Sequence, residues 1–268
     1  MGLYDKILVA VDGSDASLHA LSESIKLSYW VRGSVCAIYV APSYEGDLSL
    51  TGVKNLDALL SEPCKITLAK IKETVEQIDA SIQALCLEGE PFEKIMEYAE
   101  KEGFDLIVAG VEKKNTLYRT LIKGVAEKII RYGSKDILII PQNTSIGWDK
   151  ILVSKNKSQH DGMAVKKAME ITKAYGGELL IIDDNINKKE VINGINKLSS
   201  KIVFKTIIKN GNGPKAILDT AFENNTDLII MSSLFKKSIR NLIFKNTIEK
   251  VVLSSTCPVL VVSESLVS

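Results

Sequence analysis

The sequence predicts an α/β protein built from two tandem five-stranded parallel-sheet domains. Three observations carry that reading. Asp5-Lys6-Ile7-Leu8-Val9 returns as Asp149-Lys150-Ile151-Leu152-Val153, an offset of 144. Asp105-Leu106-Ile107 returns as Asp227-Leu228-Ile229, and Glu127-Lys128 as Glu249-Lys250, an offset of 122. Within each copy, short apolar runs alternate with longer amphipathic stretches, as strands joined by crossover helices do. Between the early and late anchors the offset falls by 22, so the second copy lacks a segment that the first carries around Pro42 to Glu62. The domains run 1–142 and 148–268. Asn143–Trp148 is the linker, short enough to predict that the domains pack against each other.

In the first copy, Ile7–Val11 is an apolar run and reads as a buried strand. Asp12-Gly13-Ser14-Asp15 is a turn that supplies a helix N-cap. Ala16–Val31 carries Leu18, Leu21, Ile25 and Leu27 at helical spacing, and Gly33 ends it. Strands follow at Val35–Val40, Ser81–Leu87, Leu106–Gly110 and Ile137–Ile140. Helices are predicted over Lys65–Ile78, Phe92–Lys101 after Pro91, and Leu117–Tyr132. The second copy repeats the order, with strands at Ile151–Ser154, Leu179–Asp183, Ile202–Ile208, Leu228–Met231 and Val259–Val262. Ile137–Ile140 and Val259–Val262 are apolar and would each leave an exposed sheet edge. Pairing them makes an intramolecular pseudo-dimer.

Apolar content of 46%, charged content of 25% and a net charge of +1 are those of an ordinary globular protein. That balance gives no footprint for nucleic acid or an anionic membrane, and no apolar run is long enough to span one. The N-terminus lacks the pattern of a signal peptide, so a cytoplasmic location is expected. Cys36, Cys64, Cys86 and Cys257 form no C-x-x-C pair, and the expectation is that they are reduced small hydrophobes. Two histidines and no Cys/His cluster predict no metal site. His19 and His160 read as helix-surface residues without a catalytic role.

In open parallel sheets ligands sit beyond the carboxyl ends of the strands, at the switch point of strand order. The turns after strands one and four are therefore where chemistry is expected. Asp12 after strand one can accept hydrogen bonds from a ligand or cap the next helix. Gly110-Val111-Glu112-Lys113-Lys114 after strand four runs on to Lys123-Gly124 and a helix start, a place where phosphate can be held. Nothing resembles a G-x-S-x-G elbow, an H-E-x-x-H helix or a Walker loop. Asp183 and Asp184 are adjacent and point to opposite faces of a strand, so they form no carboxylate pair.

Ile-Leu-Val-Ala-Val-Asp-Gly-Ser at 7–14, Asp-Leu-Ile-Val-Ala-Gly at 105–110 and Val-Ala-Glu-Lys at 125–128 resemble the universal stress protein family in its tandem form. The resemblance covers essentially the whole chain and implies a Rossmann-like fold, with last strands paired between domains. One branch of that family binds ATP through an aspartate after strand one, backbone contacts after strand two and a loop G-x2-G-x9-G-S/T. Asp12, Val40 and Gly110 match the aspartate, the strand-two contact and the first loop glycine. Lys113 and Lys123 occupy the other glycine positions, and Gly124 the Ser/Thr position. In the second copy Asn156, Asp184, Ser232, Phe235, Lys245 and Asn246 fall at these places. A lysine or phenylalanine puts a side chain where phosphates would lie and removes the freedom that glycine gives the loop.

The expected function is that of a non-catalytic stress-response protein acting through a partner or small ligand, with no cofactor. The alternative is an ATP-binding switch or slow ATPase using the first domain alone. Candidate ligand-binding residues are Asp12, Val40, Gly110, Lys113, Lys123 and Gly124. A further homodimer and an unnamed protein partner stay open. The segment Pro42–Glu62, with five leucines, is expected to fold partly as a short helix and to adapt the first domain to a ligand or partner.

Overall fold

The computed structural model describes residues 2–41, 56–112, 124–155, 161–183, 203–208, 213–232 and 239–263. Strand β1 (Lys6–Ala10) has Ile7 and Val9 on one face and Leu8 on the other, all fully buried. Both faces of the sheet must therefore be covered by helices. Helix α1 (Asp15–Val31) starts from Ser14, whose side chain accepts from the amide of Ser17. It closes on Arg32, which takes the left-handed conformation (φ 58°) in place of the expected Gly33. Strand β2 (Ser34–Ala41) leads through residues that are not described to helix α2 (Leu56–Glu76). Strand β3 (Gln83–Glu88), helix α3 (Pro91–Lys101), strand β4 (Leu106–Val111), helix α4 (Val125–Tyr132) and strand β5 (Asp136–Pro141) complete the first half.

The second half has strand β6 (Lys150–Lys155), helix α5 (Asp161–Tyr175), strands β7 (Glu178–Asp183) and β8 (Val203–Ile208), helix α6 (Pro214–Glu223), strand β9 (Leu228–Ser232), helix α7 (Ile239–Ser254) and strand β10 (Val259–Val262). The strands form one sheet in the order β3-β2-β1-β4-β5-β10-β9-β6-β7-β8. Strands β5 and β10 pair antiparallel, with Ile139 opposite Val259, Leu138 opposite Leu260 and Ile137 opposite Val261. The predicted pairing of the two last strands is thus present.

Two apolar layers cover the sheet. One joins Ile7, Val9 and Leu21 of the first half to Val153 and Ile171 of the second, and includes Ile71 of α2. The other joins Leu8, Ile38 and Ile129 to Leu152, Ile217 and Val251. Each fully buried Leu or Ile contributes roughly 2 kcal/mol, so the two halves share a core as well as a strand pair.

Three expectations are corrected. Helix α2 starts at Leu56, not Lys65, and so takes up the end of the extra segment; residues 42–55 lie outside the described residues. Pro63 sits inside this helix and removes one backbone donor without ending it. Cys64, the next residue, is disulfide-bonded to Cys86 on β3. Two of the four cysteines are therefore paired, because α2 packs on the edge strand and brings their Cα atoms to 6.0 Å; Cys36 and Cys257 are buried thiols. His19 is no simple surface residue: its Nε2 lies 2.6 Å from the Thr144 carbonyl and so donates to it. His160 and the first part of the predicted helix Leu117–Tyr132, up to residue 123, lie outside the described residues.

The linker is fastened to α1. The Glu23 carboxylate is buried, accepts from the Ile146 amide at 2.9 Å and pairs with Lys26. Trp148 packs on Trp30 and Tyr175, with ring centroids 5.9 and 5.4 Å away. Asp136 lies at the centre of the junction, accepting from the Tyr4 hydroxyl (2.8 Å) and the Ser263 amide (2.9 Å) and pairing with Lys167 (3.2 Å). On the other face Arg131 Nε is 2.7 Å from Glu249 of the second half.

Candidate functional site

In the first half the chain leaves β1 for β2 and β3 on one side and for β4 and β5 on the other. Strand β1 is therefore the switch point, and its carboxyl end lies beside that of β4. Asp12 stands there, exposed, two residues beyond β1. Its Oδ1 accepts from the Ser14 amide (2.9 Å) and hydroxyl (2.6 Å). The Asp12 amide donates to Ser17 Oγ at 3.2 Å. Partial burial opposes ionisation, but the hydrogen bonds from Ser14 and Ser17 outweigh it and hold the carboxyl below its ordinary pKa. Asp12 is thus an ionised acceptor that also braces the N-cap residue of α1.

Gly13 has φ +81°, a conformation that glycine adopts without strain. Helix α2 reaches this turn from above. Lys70 Nζ donates to the Gly13 carbonyl at 2.8 Å, and Thr67 Oγ1 is 3.3 Å from where a Cβ on Gly13 would stand. Lys70 and Thr67 escaped the sequence reading because their helix carries no motif. The signal was available in the buried stripe Thr67, Ile71 and Val75, spaced to lay one face of α2 on the domain.

Gly110 lies on β4 beside the first turn of α1. A Cβ there would fall 2.1 Å from the Ala16 carbonyl oxygen and 2.8 Å from the Ser17 amide nitrogen. The glycine is needed for β4 and α1 to approach, whatever else it does. Val40 is buried on β2 and packs in the layer that holds α3, so its side chain is structural. Beyond it, the carbonyl of Ala41 accepts from the Gly89 amide at 3.0 Å.

Gly124 is the N-cap of α4, in extended conformation, without a side-chain hydrogen bond to the helix. Among the described residues nothing lies within 4 Å of the place where its Cβ would stand. No described residue demands glycine here, and a hydroxyl side chain at this N-cap position is one that caps helices. Lys128 of α4 pairs with Glu90, the N-cap of α3. That hydrogen bond is the chief reason the Glu90 carboxyl is held below its ordinary pKa.

Asp12, Gly110 and the Lys70 ammonium are therefore grouped around the α1 N-terminus. Lys113 and Lys123 lie outside the described residues, as do Asn156, Asp184 and Phe235 of the second half. Among the described residues no group of three or more His, Cys, Asp or Glu is placed to hold a metal ion. No described helix is long and apolar enough to cross a membrane. The described arrangement can accept hydrogen bonds at Asp12 and offer one ammonium at Lys70.

A family model described as the universal stress protein family matches residues 3–141 and 196–263. The second match begins after β7, although β6 and β7 occupy the places that β1 and β2 hold in the first half. Universal stress protein MJ0531 of Methanocaldococcus jannaschii is 35% identical over 140 residues, 52% of this chain and 82% of the relative. Universal stress protein YxiE of Bacillus subtilis is 26% identical over 148 residues, 52% of this chain and 99% of the relative. The crystal structure of a universal stress protein from Archaeoglobus fulgidus, 19% identical, superposes with a TM-score of 0.77 and covers 98% of this chain and 97% of that one. The tandem fold is therefore shared over both halves, and the chain belongs to the universal stress protein family.

Proposed function

We propose that this protein is a non-catalytic regulator of the stress response that acts through a partner or a small ligand and whose nucleotide loops have lost their shape. Family membership supports the stress-response role. The observation that carries the finer reading is the packing at Gly110. This match to the ATP-binding pattern is accounted for by the contact of β4 with Ala16, so its presence is no argument for a phosphate. The remaining loop positions are Lys113, Lys123 and Gly124, where the pattern has two glycines and a hydroxyl. No cofactor is needed for this role.

A second reading is an ATP-binding switch or slow ATPase in the first half. It is favoured by Asp12, which stands exposed and ionised at the switch point with Lys70 nearby. Mass spectrometry of material released from freshly purified, denatured protein, together with calorimetry in Mg-ATP, separates the two. The expected result is no co-purifying nucleotide and a Kd well above about 1 μM, weaker than about −8 kcal/mol. Binding at or below that range would overturn the first reading, and Asp12→Ala should then abolish it while Asn156→Ala should not. The combined variant Lys113→Gly, Lys123→Gly, Gly124→Ser should gain Mg-ATP binding if loop shape is the defect.

A further inference from the structure

We propose that Cys64 and Cys86 form a reversible redox site that sets how firmly α2 is held over the Asp12–Ser14 turn. The pair joins α2, which packs on this turn and follows the segment missing from the second half, to β3, the edge strand of the sheet. On β3, Cys86 lies opposite Tyr39 and Ala84 opposite Ala37, a residue of the layer that holds α1 and α2. Cys86 therefore faces α2. Cys64 extends the buried stripe of Thr67, Ile71 and Val75 by one turn, toward the helix start.

The bond sits at a weak point in the helix. Pro63 precedes Cys64 and cannot donate the backbone hydrogen bond that would tie this turn to the one before it. One turn further on, Thr67 packs at Gly13, and Lys70 donates to the Gly13 carbonyl. The sulfur bridge, the proline and the Gly13 contacts thus follow each other within two turns. Breaking the bridge removes the covalent anchor nearest the proline.

Access distinguishes this pair from the other two cysteines. Cys64 and Cys86 are each half-buried, whereas Cys36 and Cys257 are buried. Burial pushes the Cys36 thiol up to about 11, against a hydrogen bond with Tyr98, so it stays protonated and unreactive. A small thiolate such as that of glutathione reaches Cys64 Sγ; the S–S bond breaks and Cys86 leaves as a thiolate that takes a proton. A second glutathione thiolate attacks the mixed disulfide, forms glutathione disulfide and releases Cys64 as a thiol. The balance is two glutathione thiols and one protein disulfide giving one glutathione disulfide and two protein thiols. Glutathione disulfide drives the reverse.

The test uses the full chain in glutathione buffers of graded ratio, with native-state alkylation and hydrogen exchange read by mass spectrometry. Under reducing ratios Cys64 and Cys86 should alkylate while Cys36 and Cys257 stay unlabelled. Exchange across residues 56–70 should quicken on the order of tenfold or more, with β1 and β4 unchanged. Cys86→Ser should show the fast pattern without reductant and ignore the glutathione ratio. Thiols at 64 and 86 that remain unoxidised in excess glutathione disulfide would overturn the proposal. So would exchange over 56–70 that is identical in the oxidised and reduced wild-type protein, a comparison that needs no variant to fold.

Discussion

Glu23 on α1 and Lys167 on α5 occupy one place in the repeat, aligned by the offset of 144, yet carry opposite charge. Glu23 is buried, accepts from the Ile146 amide and fixes the linker. Lys167 is partly exposed, pairs with Asp136 and lies over the Tyr4 ring at 4.7 Å from its centroid. Two identical chains would have to use the same residue twice. Here each copy has changed alone, and the two helices have divided the work of the junction. The same asymmetry appears at the strand ends, where the first half has Gly110 and the second Ser232. The first half keeps a close strand–helix approach at the switch point, and there the candidate site lies.

Substitutions can break this contrast. The largest effect is expected from Gly110→Ala, which forces a methyl into the Ala16 backbone and should cost about 3 kcal/mol. Ser232→Ala, its counterpart, should stay within about 0.5 kcal/mol; urea unfolding of both variants checks the difference. Equal costs would mean that the strand-end asymmetry has no energetic content. Glu23→Ala comes next. It strands the Ile146 amide and should cost about 2 kcal/mol, visible as a lower urea midpoint. Lys167→Ala removes a partly solvated pair and a cation–π contact, so about 1 kcal/mol or less is expected from the same measurement. If Lys167→Ala proved the costlier of the two, the assignment of the linker to α1 would be wrong.

The smallest effect concerns acid. The folded pKa of Asp12 lies below its unfolded value, so its stabilisation is present above the ordinary carboxylate pKa of about 3.9 and is lost as pH falls through the lowered one. Asp12→Asn should therefore reduce stability relative to wild type at pH 6 and converge with it in strong acid. Asn156→Asp, made in the second half, sharpens the comparison. A pH-dependent gain there would show that the second turn can still brace a carboxylate.

The strands and their pairing were legible in the sequence because apolar runs such as Ile7–Val11 and Ile137–Ile140 leave few alternatives once they occur twice. Asp12 and Gly110 were found from the same repeat. The roles of those residues were not legible. Nothing local says that Ala16 stands 2.1 Å from a Cβ on Gly110, because that distance is set by helix packing across the sheet. Lys70, Thr67 and the Cys64–Cys86 bridge were missed for a related reason. Their meaning lies in where α2 packs: nothing along the helix says that Lys70 and Thr67 meet Gly13, or that Cys64 meets Cys86 on β3. Glu23 was passed over as one charge among many on a helix, since a carboxylate committed to a distant backbone amide leaves no mark in periodicity.

The antiparallel meeting of β5 and β10 also fixes how this assembly depends on amount. Each half meets the other at an effective concentration set by a short tether, of millimolar order for such linkers. Free subunits associating through the same strands would obey mass action and come apart on dilution. A covalent pair does not. The abundance of the paired form rises with the first power of chain concentration instead of the second, so growth that dilutes the protein leaves the fraction assembled unchanged.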